Sequence, residues 1–240
     1  MTEPVSPETF GGTPSPPDTP AALETRLRAL LAAHERETAV VEVLRAVDAG
    51  LGLEQLYSEV LLPLLRTLGA AWQTGQTAVW EEHLATQAIR TAVEALYPRV
   101  LARKTTVPPV AVTVAFFCPP DEAHDLGLRM LADRFDLRGF RTVYVGASTP
   151  VDDMVACALA VAADVVCLSA STHFHRAALR HAVAQLETAL PGVRVLAGGA
   201  AFVHDVAGWE GLVTADLEAL LDELAGGGGP GGGEAGAVGT

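Results

Sequence analysis

Glu122 stands two residues before His124 in the run Pro119-Pro120-Asp121-Glu122-Ala123-His124-Asp125-Leu126-Gly127. At that spacing the carboxylate can accept the ring N–H of the histidine, which fixes the tautomer and leaves the second ring nitrogen to coordinate a metal. One imidazole does not hold a bare ion, and no second or third His, Cys or carboxylate is spaced to complete a zinc or iron site. A lone histidine ahead of a helix is more often a cap or a satisfied surface residue. The chemistry this pair could add is axial ligation of a metal that arrives with its own equatorial ligands.

Other residues could serve the same chemistry. Ser169-Ala170-Ser171-Thr172 ends an apolar run, and Gly198-Gly199 ends another, where the missing side chains let a bulky planar ligand approach the backbone. Trp72 is followed after nine residues by Glu82-His83, with Val79 one turn earlier on nearly the same helical face. Alone, that pattern reads as a core tryptophan and a solvated helix face. Ser169, His181 and Asp205 lack a Gly-x-Ser-x-Gly elbow, so a hydrolase triad is set aside. His173 and His175 point to different sides of any helix and read as ligand-tail contacts or loop surface. Trp80 and Trp209 read as core or interface aromatics.

The elements that must position these residues change in style near Pro108-Pro109. Upstream the periodicity is helical. Thr19 can cap a helix with Pro20 in its first turn, followed by Leu23, Leu27, Leu30 and Leu31. A second helix is expected from Thr38 to Val47, a third from Leu53 through Leu68, and a fourth from Val79 to Leu101, forming a small four-helix bundle. Downstream, strands are expected at Val110 to Phe117, Phe140 to Val145, Asp164 to Ser169 and Val193 to Ala197, with a weaker one at Gly211 to Thr214. Helical stretches fill the gaps, and a final helix runs from Ala215 to Leu224 with Thr214 as its cap. The fold class is therefore α plus α/β: an N-terminal four-helix bundle, then a flavodoxin-like, Rossmann-type sheet of five parallel strands. In such a sheet the ligand binds at the C-terminal strand ends, between the first and third strands, where Glu122, His124 and Ser169 are placed. Gly146 to Pro150 ends the second strand at the same rim.

Composition narrows the partners. The 240 residues carry 16 Lys and Arg against 29 Asp and Glu, a formal net charge of −13. Residues 22–104 hold 10 acids and 9 bases, whereas residues 105–225 hold 15 acids and 7 bases, so the acidity falls on the second half. Phosphate backbones are bound largely through Lys and Arg, and direct nucleic-acid contact is not expected. The longest apolar runs, such as Met154 to Ala163, are half the ~20 residues a membrane span needs. No basic segment followed by an apolar core opens the chain, and the three cysteines, Cys118, Cys157 and Cys167, read as buried thiols of a cytoplasmic protein. Residues 1–21 hold six prolines and residues 226–240 nine glycines, so both are expected to be disordered tails flanking a bundle domain, 22–104, and an α/β domain, 109–225.

These residues resemble a known family. Glu122-Ala123-His124-Asp125-Leu126-Gly127 matches the cobalamin signature Asp/Glu-x-His-x-x-Gly, and Ser169 with Gly198-Gly199 matches the family's later Ser and Gly-Gly elements in order. The family's Ser-x-Leu reads Ser169-Ala170-Ser171 here. The resemblance implies base-off binding with His124 as lower axial cobalt ligand, Glu122 and Ser169 hydrogen-bonded around it, and the nucleotide tail entering beside the Ser and Gly-Gly loops. The Trp-x9-Glu-His pattern is similar to that of the light-dependent cobalamin regulators of the CarH and LitR type, whose bundle caps the upper face of adenosylcobalamin. By that resemblance Trp72 and Val79 pack on the adenosyl group, Glu82 hydrogen-bonds to it, and His83 is a second cobalt ligand after photolysis.

Those repressors begin with a helix-turn-helix domain of the MerR class, and this chain begins with a Pro-rich segment, which implies a free-standing sensor. The photocobilins resemble this layout and add a linear bilin; with every cysteine in the second domain, biliverdin would be held without a thioether link. The expected function is non-enzymatic: photolysis of adenosylcobalamin shifts the bundle and changes a homo-oligomer or a protein partner. The alternatives are a corrinoid methyl carrier of a methyltransferase system and a cobalamin carrier without a light response.

Overall fold

A computed structural model describes residues 19–202, 206–209, 211–213 and 216–226. Their contacts divide the chain into two compact units, Met1–Ala92 and Val93–Thr240.

In the first unit Thr19 Oγ1 accepts the Ala22 N–H at 3.3 Å, and Pro20 fills the first turn of α1 (Pro20–Ala32), so the helix starts at the expected cap. Leu23, Leu27 and Leu31 form its buried stripe. α2 (Arg36–Asp48) starts two residues earlier than Thr38 and buries Ala39, Val43 and Ala46. The third expected helix is three consecutive segments: α3 (Leu53–Gln55), a π-helical turn (Leu56–Leu61) and α4 (Leu62–Gln73). The Leu62 N–H bonds to Tyr57 O, five residues back, and the next residue, Pro63, has no N–H to donate. That wide turn buries Leu56, Tyr57, Val60 and Leu61. α5 (Val79–Lys104) continues from the first unit into the second, with Ala85, Ala88 and Ile89 buried in its first half.

The second unit is a doubly wound α/β layer. β1 (Thr113–Phe117), β2 (Arg141–Gly146), β3 (Val165–Ser169) and β4 (Arg194–Gly198) pair in parallel in the order β2-β1-β3-β4. Between them run α6 (Leu126–Leu137), α7 (Val151–Val161) and α8 (Arg176–Ala189), and α9 (Leu217–Gly226) follows β4. Alternation sorts the strands onto two faces. Ala115, Phe117, Val166, Leu168, Val195 and Ala197 pack with Met154, Ala158, Leu179, Val183 and Leu186 of α7 and α8. Val114, Phe116, Val165, Cys167 and Leu196 pack with Leu128, Phe135, Leu220 and Leu221 of α6 and α9. Being covered on both faces, β1 and β3 are buried at every position and read as unbroken apolar runs.

Several expectations change. Among the described residues the sheet has four strands, not five: Gly211–Val213 forms a turn, with Gly211 at φ +82°, and only Leu212 O reaches the sheet, accepting the Ala197 N–H at 2.8 Å. Thr214, the expected cap of the last helix, lies outside the described residues; Asp216 Oδ1 caps α9 by accepting the Ala219 N–H at 3.0 Å. Most of the two expected tails also lies outside them, while Pro20, Ala21 and Gly226 are helical. Trp209 is core, 4.8 Å from the Phe202 ring, whereas Trp80 is exposed and its ring lies 5.0 Å from that of His34. Of the cysteines, Cys118 and Cys167 are buried and Cys157 is half-buried. Among the described residues no helix is long and apolar enough to cross a membrane.

Candidate functional site

β1 pairs with β2 on one side and β3 on the other, so the chain's direction of travel reverses between β1 and β3. The segments that leave their C-terminal ends, 118–125 and 170–175, meet there. β1 is also irregular at Phe116/Phe117, where the pairing slips to oppose Phe117 to Gly146. Beyond it Cys118 N bonds to Gly146 O at 2.8 Å, Thr149 N to Cys118 O at 3.1 Å, and Ser148 N to Glu122 O at 2.9 Å. The loop after β2 thus braces the loop that carries Glu122 and His124.

Glu122 is fully buried and its two oxygens face four donors. Oε1 lies 2.6 Å from His124 Nδ1 and accepts the His124 amide at 2.9 Å. Oε2 accepts the Ser171 amide at 2.8 Å and lies 2.9 Å from His175 Nδ1. Burial disfavours the charged carboxylate, but the His124 ring, the Ser171 and His124 amides and the imidazole charge outweigh it and hold Glu122 at about 2. An ionised carboxylate accepts only, so His124 Nδ1 is the donor, and in the neutral form of the ring the lone pair is on Nε2. The ring itself is 59% exposed. Ser171 Oγ, bonded to His124 O at 3.2 Å, fixes the backbone beneath it.

The serine contacts come from Ser171 and not from Ser169, correcting the expectation drawn from the family. Ser169 is the last residue of β3, and its side chain packs under Gly199: a Cβ at Gly199 would meet Ser169 Oγ at 2.7 Å and Ala170 O at 2.3 Å. Gly199, at φ +105°, is therefore needed for close approach within the fold. Gly127 and Gly198 differ, since a Cβ on either would meet nothing within 4 Å. His175, which the sequence alone reads as a ligand-tail contact or loop surface, instead faces Glu122. The 3-10 turn His173–His175 turns its ring back to Glu122, with Thr172 Oγ1 3.0 Å from the same Nδ1. A second support was not foreseen either: Tyr144 Oη donates to Asp125 Oδ2 at 2.7 Å, and the Arg129 guanidinium, 3.0 Å from Asp133, lies 4.2 Å from the Tyr97 ring centre and 5.2 Å from that of Tyr144. Asp205, named with Ser169 and His181 in the triad set aside above, lies outside the described residues.

In the first unit Trp72, Val79 and His83 are exposed and Glu82 is partly buried. Trp72 is 41% and Val79 52% exposed, so neither is spent on the bundle core. Glu82 Oε1 accepts from Thr86 Oγ1 at 2.6 Å and its Oε2 lies 3.6 Å from His83 Nε2, the His83 side chain being 70% exposed.

Family models described as the B12 binding domain match residues 112–217 and, separately, residues 23–97. The chain belongs to the B12-binding proteins, as a helical B12-binding segment followed by a Rossmann-like one, related to the CarH-type regulators. It is 32% identical over 182 residues to the HTH-type transcriptional repressor CarH of Myxococcus xanthus, covering 74% of this chain and 58% of that protein. It is 29% identical over 130 residues to the repressor CarA of the same organism, covering 54% and 42%. The chain thus spans about half the length of both relatives. Its fold matches the monomethylamine corrinoid protein of Methanosarcina barkeri with a TM-score of 0.71 at 18% identity, over 86% of this chain and 98% of that one.

The donor set fits a corrinoid. Among the described residues no group of three His, Cys, Asp or Glu could hold a bare metal ion. A single half-exposed imidazole, held through Nδ1 by a buried carboxylate, suits a cobalt whose equatorial positions are already filled. At Gly127 and Gly198 no neighbouring atom lies within 4 Å of where a Cβ would stand, so the space beside these two positions is open.

Proposed function

We propose that this chain is a cobalamin-dependent light sensor. The observation that carries the cobalamin part of the reading is the fully buried Glu122 carboxylate 2.6 Å from Nδ1 of the half-exposed His124 ring, and the light-sensing part is supported by the Trp72-x9-Glu82-His83 pattern. Adenosylcobalamin, when bound, would supply a cobalt–carbon bond that visible light breaks. His124 would hold the cobalt through Nε2, Glu122 holds the tautomer and orientation of that ring, and Ser171 holds both through its amide and hydroxyl. Ser169, Gly198 and Gly199 shape the entry of the nucleotide tail, and Gly127 leaves room at the start of α6.

In the bundle unit, Trp72 and Val79 are the residues that would pack on the adenosyl group, with Glu82 bonded to it, by likeness to the CarH-type regulators. Their exposure supports the assignment, because apolar side chains that the bundle core does not use remain available for a ligand. His83, exposed and beside Glu82, is the second imidazole available when the adenosyl group has left. The response then passes into assembly of this chain or binding of a protein partner. Biliverdin is the second chromophore implied by the likeness to the photocobilins.

The test is an absorption spectrum and a gel-filtration profile of the purified protein with adenosylcobalamin, in the dark and after illumination, with and without biliverdin. A corrinoid spectrum that changes with light, together with a shifted elution volume, is expected. Binding of cobalamin with identical profiles in dark and light would replace the sensor by a corrinoid carrier. A red-absorbing band that co-purifies decides for the bilin, and a corrinoid-only spectrum against it.

A further inference from the structure

His175 sits 2.9 Å from the carboxylate oxygen of Glu122 that His124 does not touch. The placement is built, since the residue closes the 3-10 turn His173–His175, its amide bonds to Thr172 O at 3.1 Å, and its ring is only 23% exposed. A carboxylate offers about four acceptor positions. Those of Glu122 are filled by two amides and two imidazole nitrogens, from loops that leave two different strands. The terminal torsion of a glutamate is intrinsically broad, so nothing within Glu122 itself fixes which way its carboxylate faces. The donors fix it. His175 Nδ1 must carry its proton to face an ionised oxygen, and Thr172 Oγ1, 3.0 Å from the same nitrogen, can share it.

We propose that His175 is a positioning residue for the His124 ligand: by holding Glu122 Oε2 it keeps Oε1 on His124 Nδ1 and the lone pair on His124 Nε2. The proposal rests on the reading of His124 as the cobalt ligand. Two imidazoles on one buried carboxylate also tie the β3 loop to the β1 loop, so a movement of His173–His175 is felt at His124 without any contact between the two rings being needed. Removing the donor leaves Oε2 with the Ser171 amide alone and frees the carboxylate to turn.

The test uses the full chain free of cobalamin, labelled with 15N at histidine, and two substitutions. His175→Phe keeps bulk and removes the donor; His175→Gln keeps a side-chain N–H. Long-range proton–nitrogen spectra of the unsubstituted protein are expected to show His124 in one tautomer, with the proton on Nδ1. In His175→Phe they should show a mixture, and in His175→Gln a return toward the single form. Adenosylcobalamin affinity should fall roughly tenfold in His175→Phe, the scale seen when an outer partner of a metal-binding histidine is lost, and recover in His175→Gln. Identical His124 nitrogen shifts in the unsubstituted and Phe proteins would overturn the proposal, as would equal effects of Phe and Gln. Failure of the unsubstituted protein to bind cobalamin would instead remove the cofactor reading, and the nitrogen shifts of the cobalamin-free protein would still decide on His175.

Discussion

The Asp121 amide donates to Ser148 Oγ at 3.1 Å, and both residues hold left-handed backbone conformations, at φ +66° and +46°. Each is a non-glycine in a region that costs about 1 kcal/mol or more, so the bond joins two strained turns directly ahead of Glu122. Ser148→Ala keeps the strain and loses the acceptor, whereas Ser148→Gly loses the acceptor and relieves the strain. Urea unfolding should therefore find the Ala variant destabilised by about 1 kcal/mol and the Gly variant less affected, the reverse of their order in a helix.

Glu122 is held at about 2, below its ordinary 4.5, so it stabilises the fold above pH 4.5 and that contribution is lost as the pH falls toward 2. The loss across this window is on the order of 3 kcal/mol. In the cobalamin-free protein, Glu122→Gln should be less stable at neutral pH and flatter in its acid limb. Denaturant midpoints measured from pH 7 to 2 check both effects; parallel curves would show that the carboxylate does not carry this part of the acid sensitivity.

His124→Ala should weaken adenosylcobalamin binding by more than about tenfold, and it should also lower the melting temperature at neutral pH, because the buried Glu122 carboxylate loses the imidazole that helps to hold it ionised. His83→Ala should keep dark binding and lose the spectral change assigned to a second histidine ligand. Titration of cobalamin in the dark, followed by difference spectra after illumination, separates the two. An unchanged light-state spectrum in His83→Ala removes the role given to that residue.

Gly199→Ala places a methyl group 2.3 Å from Ala170 O at a backbone φ of +105°. The loops after β3 and β4 must then part, at a cost of roughly 2 kcal/mol or more. Thermal unfolding checks it, and Gly198→Ala, where a Cβ would meet nothing within 4 Å, is the tolerated control.

Burial, with the Glu122 and Asp125 charges adding to it, pushes the Cys118 thiol up to about 12, and burial does the same to Cys167. Thiol reagents at pH 8 should modify at most Cys157 in the folded protein and all three cysteines in denaturant. Rapid modification of two thiols in the native state would contradict the packing around β1 and β3.

What the sequence disclosed depended on the range of each interaction. β1 and β3 were legible because burial on both faces leaves an uninterrupted apolar run, and the Glu122–His124 pair because two residues of separation keep the groups within one short loop. Ser171 was placed at the rim but its amide, which carries the contact to Glu122, belongs to the backbone and has no residue signature. His175 lies 53 positions from Glu122 in the chain, and its approach depends on a 3-10 turn, so the i, i+2 helical argument pointed it elsewhere. The weak strand at Gly211 kept one bond to β4, too few to form a fifth strand among the described residues.

The wide turn at Leu56–Leu61 has a consequence for numbering along the bundle. A π-turn accommodates one residue more than an α-turn, and one residue is about 100° of helix rotation. Buried Leu64 and exposed Trp72 lie downstream and take their directions from that extra residue. Aligning this segment with a helix that lacks the turn requires a one-residue gap inside the helix, and a gap moved to a neighbouring loop would pair Trp72 with a position on the wrong side.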